Sequence, residues 1–172
     1  MALAERLRES REAIVGRWVQ RVLAGYGEDA AAAFARQKDP FANPVGHRLR
    51  EATAGIFDAL LDGPAEGELE QIRPYLYELV KVRAVQQFSA SEAVGFVFEL
   101  KEAIRHQLAE AAHQPPLAAE LAELEGRIDR AALAAFDAFV ECKEQLYELR
   151  MNEVKRNVSW VMKKMNARQE SK

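Results

Sequence analysis

The chain has 172 residues, 49% hydrophobic and 30% charged, with nine glycines and six prolines, a composition that suits one helical domain and excludes extensive disorder. Its net charge of −3 is unevenly spread: residues 1–149 carry 17 Lys and Arg against 25 Asp and Glu, whereas residues 150–172 carry seven against two. An acidic body excludes nucleic acid as a partner, because wrapping a phosphate backbone needs a basic face rather than a basic end.

The single cysteine, Cys142, cannot form an internal disulfide and suits a reducing cytoplasm. The N-terminus is charged from Glu5 and lacks the apolar run of a secretory signal. No segment reaches the roughly 18 uncharged apolar residues of a membrane span, so a cytoplasmic chain is expected.

Taken in chain order, Leu7, Ile14, Trp18 and Val22 share one face of a helix predicted from Leu3 to Ala24, which Gly25 and Gly27 end. Ala30 to Gln37 predicts a short helical piece, followed by a turn-forming stretch to Gly46. Asn43 and Pro44 predict the next helix start, since Asn caps an orphan N–H and Pro fits the first helical position. That helix runs to Asp62 with Leu49, Ala52, Ile56 and Leu60 as its core face, and Gly63-Pro64 is its stop signal. A third helix is predicted over Glu68 to Val85, with Leu69, Ile72, Leu76 and Leu79 facing the core and Pro74 either in its first turn or kinking it. Ser89-Ala-Ser-Glu92 is a capping box that opens a fourth helix near Ala90, apolar on almost every side at first and running to about Ala111.

Pro115-Pro116 opens the last helical region, which reads as far as Met165 with one weak point at Gly126. Unbroken, it would span roughly 75 Å at 1.5 Å per residue, longer than one domain can cover, so part of it must project or pair. From Tyr147 onward the apolar residues are Tyr147, Met151, Val154, Val158, Val161 and Met165, the 4-3-4-3-4 spacing of a coiled-coil seam. Trp160 falls outside that seam beside Asn157, Lys163 and Lys164, as an interface residue does. The organisation expected is a helical domain over residues 1–150 and a basic extension over 151–172.

Candidate chemistry is sparse. The sequence has no phosphate-binding loop, nucleophile elbow or zinc-spaced His-Glu pair, so no catalytic residue, metal site or cofactor is assigned. His106 lies off the apolar stripe, His113 abuts Gln114-Pro115-Pro116 and His47 sits in a first turn, so none is expected as an axial haem ligand. Cys142, among Phe139, Val140 and Leu146, reads as a buried inert thiol. Asp129, Asp137, Glu141 and Glu144 read as members of solvated ion pairs.

Three stretches carry a family resemblance. They are Asp39-Pro-Phe-Ala-Asn-Pro-Val-Gly46, the run from Val82 through Gln87-Phe-Ser-Ala-Ser-Glu92 to Phe98, and Ala135 through Cys142 to Arg150 with Asn152-Glu-Val-Lys-Arg156. In order and spacing they resemble the N-terminal sensor domain of the RsbT co-antagonist proteins, the RsbRD type, over nearly the whole chain. The resemblance implies a globin-like, non-haem, dimeric helical fold. In larger relatives its last helix leads to a phosphorylatable STAS domain or a histidine kinase. The sequence ends at Lys172 without such a domain, so a standalone form is expected, in which sensing carries over and phosphorylation does not.

The function expected is therefore a non-enzymatic regulatory sensor or adaptor: an all-α homodimer whose long C-terminal helix, through Tyr147, Met151, Val154, Val158, Trp160, Val161 and Met165, meets a protein partner. Two alternatives stand beside it. One is a small-ligand binder of unknown ligand, with a vestigial globin-type pocket lined by Val94, Val97 and Phe98. The other is peripheral docking of the basic tail on a membrane protein or anionic membrane.

Overall fold

The computed structural model describes residues 2–27, 44–62 and 67–170. Among them the structure is all-α, with no strand. Its helices are α1 (Leu3–Glu9), α2 (Arg11–Ala24), α3 (Pro44–Leu61), α4 (Glu68–Val85), α5 (Ala90–Gly95), α6 (Glu99–Leu108) and α7 (Leu117–Glu170), with a 3₁₀ turn at Ala109–His113. The helical piece expected at Ala30–Gln37, the Asn43 cap and the Gly63-Pro64 stop lie outside the described residues.

Sequence periodicity places the core faces of the first two predicted helices correctly. Leu7, Ile14, Trp18 and Val22 are buried, as are Leu49, Ala52, Ile56 and Leu60. Pro44 opens α3, where its missing N–H costs no hydrogen bond. The first helix is nevertheless two, divided at Ser10, whose φ of −102° and ψ of 12° leave the helical region. The Gln107 side-chain amide donates to the Ser10 hydroxyl at 3.2 Å, tying the bend to α6.

In α4, Ile72, Leu76 and Leu79 are buried, but Leu69 is on the surface, a correction to the expected core face. Pro74 sits beyond the first turn of α4, inside the helix. Gly55 of α3 meets α4 at a point where a Cβ would lie 2.6 Å from the Tyr75 ring, so any larger residue there requires the half-exposed Tyr75 ring to move.

The predicted fourth helix is also divided. The capping box forms as read: the Ser89 hydroxyl accepts from the Glu92 N–H at 3.3 Å, and the Ser89 N–H donates to the Glu92 carboxylate at 2.9 Å. The Ser89 hydroxyl, which also donates to the Glu92 carboxylate at 2.7 Å, and the Ser89 N–H together hold that carboxyl below the ordinary carboxylate range. Beyond Gly95 the chain tightens into i→i+3 bonds, from the Val97 N–H to the Val94 carbonyl and from the Phe98 N–H to the Gly95 carbonyl, before α6 starts. The Phe96 carbonyl accepts from Trp18 Nε1 at 2.7 Å. A fully buried indole thus has its one donor satisfied by the turn that interrupts the helix.

Arg83, buried at the end of α4, closes the same region. Its guanidinium donates to the Val22 and Glu92 carbonyls and to the Tyr26 hydroxyl, and lies 4.9 Å from the ring centres of Tyr26 and Phe96. Carbonyl oxygens and ring faces together hold this buried charge. Helix α7 then packs along α4 and α5, α3 packs on α4, and α2 packs on α6 and α3.

Candidate interaction surface on the last helix

Helix α7 is unbroken through Gly126 and runs for 54 residues. At 1.5 Å per residue that is about 81 Å. Glycine costs a helix only about 1 kcal/mol, which burial on either side of Gly126 offsets: Leu124 and Ile128 are both core residues.

The first half of α7 has a distinct inner face. Leu124, Ile128, Ala131, Ala135, Ala138 and Cys142 are buried against the body. Arg127 secures this half to the first turn of α4: its Nε lies 3.0 Å from Glu68 Oε1, and both side chains are largely buried. Further along, Arg73 pairs with Glu141, and the Tyr77 hydroxyl donates to Gln145 at 3.2 Å. Cys142 is buried, and burial pushes its thiol above the ordinary range, as an inert structural cysteine requires.

Past that point the helix leaves the body. Every described side chain from Tyr147 to Asn166 is exposed. The predicted seam residues Tyr147, Met151, Val154, Val158, Val161 and Met165 are between 46% and 59% exposed. Their spacing places them on one side of the helix, as read from the sequence. Trp160 is 62% exposed, with the Lys164 ammonium 4.8 Å from its ring centre.

The other sequence-derived candidates do not converge. Val94 and Val97 are buried in the core, whereas Phe98 is 45% exposed under the Lys101 ammonium, so the three face different surroundings. A small cavity of about 70 Å³ lies elsewhere, lined by Leu23, Tyr26, Leu49, Leu79 and Val82, with Arg48 and Glu78 beside them. That cavity is several times smaller than a site of drug-like size, about 300 Å³ or more, whereas a more open groove between α2 and α3, lined by Val15, Val19, Leu23 and Ala54 with Arg11 and Arg50, encloses about 410 Å³. His47, His106 and His113 are exposed, and His47 pairs with Glu51 one turn on. Asp129 pairs with Lys101 and Glu141 with Arg73, both between helices rather than along one. Among the described residues no group of three or more His, Cys, Asp or Glu is placed to hold a metal, and no helix is long and apolar enough to cross a membrane.

Two exposed apolar residues on the body half of α7, Leu133 and Phe136, escape the sequence reading, and Val140, read there only as a neighbour of buried Cys142, is itself exposed. The signal that finds them is positional, since they extend the seam spacing upstream, with Val140 one heptad before Tyr147 and Leu133 one heptad before Val140.

Comparison with known proteins adds one match. No curated protein and no solved structure matches the chain. The family model described as the RsbT co-antagonist protein rsbRD N-terminal domain matches residues 12–154, from the first turn of α2 to the middle of the exposed seam. With the match covering most of its length, the chain belongs to the RsbT co-antagonist protein rsbRD N-terminal domain family.

Proposed function

We propose that the chain is a non-enzymatic regulatory sensor or adaptor that acts as a cytoplasmic homodimer, its body a globin-like, non-haem fold and its last helix the surface that meets a protein partner. One observation carries this reading: six apolar residues at coiled-coil spacing, Tyr147 to Met165, stand on a stretch of helix that the body leaves uncovered. Removing that seam from water favours association by about 25 cal/mol per Å² before the cost of joining two molecules. Family membership supports a regulatory signalling role in preference to a catalytic one.

Sedimentation equilibrium of the full chain tests the proposal. A reversible dimer is expected, and Val154→Glu with Val158→Glu should convert it to a monomer of unchanged helix content. A wild-type chain that stays monomeric throughout the concentration range would overturn it.

A second reading is supported by Trp160 and its neighbours Lys155, Arg156, Lys163 and Lys164, which make the tail a basic, partly apolar helix suited to an anionic membrane surface. Salt-sensitive flotation with phosphatidylserine vesicles is its expected result, and a chain left wholly in the soluble fraction at low salt removes it.

A further inference from the structure

Where α1 and the end of α3 meet the first turns of α7, the packing leaves a cavity of about 170 Å³. Its apolar walls include Leu60, Leu61 and Leu124, all core residues. Its polar lining comes from one face of α7, where Glu120, Glu123 and Arg127 follow one another at spacings of three and four.

Arg127 is the unusual member of this set. It is only 6% exposed, and its Nε donates to both oxygens of Glu68. Its Nη2 lies 2.9 Å from one of those oxygens, off the line that a hydrogen bond needs, and finds no hydrogen-bond partner. A buried guanidinium nitrogen left in that state is a donor open to an added acceptor, since unmatched buried donors are rare and unfavourable. Glu68 already neutralises the Arg127 charge, so the charges remaining on the lining are those of Glu120 and Glu123. Glu120 accepts from the Leu3 N–H at 2.7 Å through one oxygen, which leaves its other oxygen available. Glu123 is exposed, and Arg127, one turn on, pairs with Glu68 in place of it.

The lining therefore suits a molecule that carries an acceptor, a cation and a short apolar body together. A simple anion would meet two carboxylates, and a simple amine would leave Nη2 unmatched. Glu123 and Arg127 start one helical turn apart, about 6 Å, and the ammonium and carboxylate of an α-amino acid, about 3 Å apart, fit between them. A cavity of about 150 Å³ takes benzene, so this one takes a small branched side chain.

We propose that this cavity binds a small aliphatic α-amino acid. Its carboxylate accepts from Arg127 Nη2, its ammonium lies between Glu120 and Glu123, and its side chain packs on Leu60, Leu61 and Leu124. The site joins α1, α3 and the held half of α7. In the sensor reading, on which this consequence alone rests, occupancy stabilises the base of the helix that reaches beyond the body.

Calorimetric titration of the full chain with L-valine tests the site, with isobutylamine, isovalerate and glycine as probes that each lack one of the three features. Saturable binding of one L-valine per chain is expected, with each of the other three at least about tenfold weaker. Glu120→Gln and Glu123→Gln should each weaken L-valine about tenfold, whereas Glu148→Gln, on the exposed half of α7, should leave it unchanged. Glu123→Gln changes an exposed residue, so its melt without ligand should match the wild type. Arg127→Lys keeps the charge beside Glu68 but removes the second nitrogen, and it should abolish binding. No saturable binding of L-valine or L-leucine up to about 10 mM would overturn the inference. So would isobutylamine binding as tightly as L-valine, or a wild-type affinity in Glu123→Gln. A chain that binds L-valine but stays monomeric keeps this site and loses the homodimer reading, and a dimer that binds no amino acid does the reverse.

Discussion

Between Leu124 and Cys142, helix α7 presents two faces of opposite character. The inner one combines Leu124, Ile128 and Phe139 with four small residues, Ala131, Ala132, Ala135 and Ala138, all buried against the body. The outer one carries the larger Leu133, Phe136 and Val140 in water. A helix made only to complete its own core would keep its large apolar residues inside, as Leu124, Ile128 and Phe139 do, and polar residues outside. Alanine on the inner face permits close approach of α4 and α5, and bulk on the outer face is apolar surface available to another molecule. Size and position together separate the side of the helix that stabilises the subunit from the side left in water.

This contrast can be broken in order of expected effect. Glu68→Ala should be the most damaging change, because it leaves Arg127 buried without its carboxylate, and a loss of about 3–5 kcal/mol is expected in chemical denaturation. Ala135→Leu comes next: added bulk on the inner face should cost about 1–3 kcal/mol through overpacking, with the loss independent of protein concentration. If it were neutral, the claim of close inner packing would be wrong.

Ser89→Ala should cost about 1 kcal/mol by removing the helix cap. The cap also has a pH signature. Its Glu92 carboxyl is lowered by the Ser89 hydroxyl and backbone N–H, so the contribution is full above the ordinary carboxylate range and fades as pH falls through the folded-state value. In Ser89→Ala that acid-dependent part should shrink, which paired melts at neutral and acid pH would reveal. Smallest in effect on the folded subunit is Leu133→Ala, expected within about 0.5 kcal/mol when measured at a dilution where monomers dominate. A loss as large as that from an inner-face change would erase the distinction between the two faces.

Much of the fold is legible in the residues because hydrophobic periodicity and capping chemistry are local. The core faces of α2 and α3, the Ser89 box and the whole seam from Tyr147 to Met165 are all read from spacing. What spacing misses depends on partners distant in the chain. The bend at Ser10 is tied to Gln107, and the turn at Phe96 is held by Trp18, neither of which is a neighbour in sequence. Leu69 satisfies the helical period yet lies outside the core, since period alone does not say where a neighbouring helix ends. The exposure of Leu133, Phe136 and Val140 is missed for a different reason. Large apolar residues draw attention as core, and the alanines that share the true core face give a weak signal by size.

Because one uninterrupted helix is both gripped by the body and extended beyond it, α7 has the geometry of a lever. Ala135 to Met165 spans about 45 Å, so a tilt of about 5° at the alanine face would swing the far end by roughly 4 Å. That sweep approaches the width of a side chain, enough to change which residues at the tip can meet, while the packing at the fulcrum shifts only slightly.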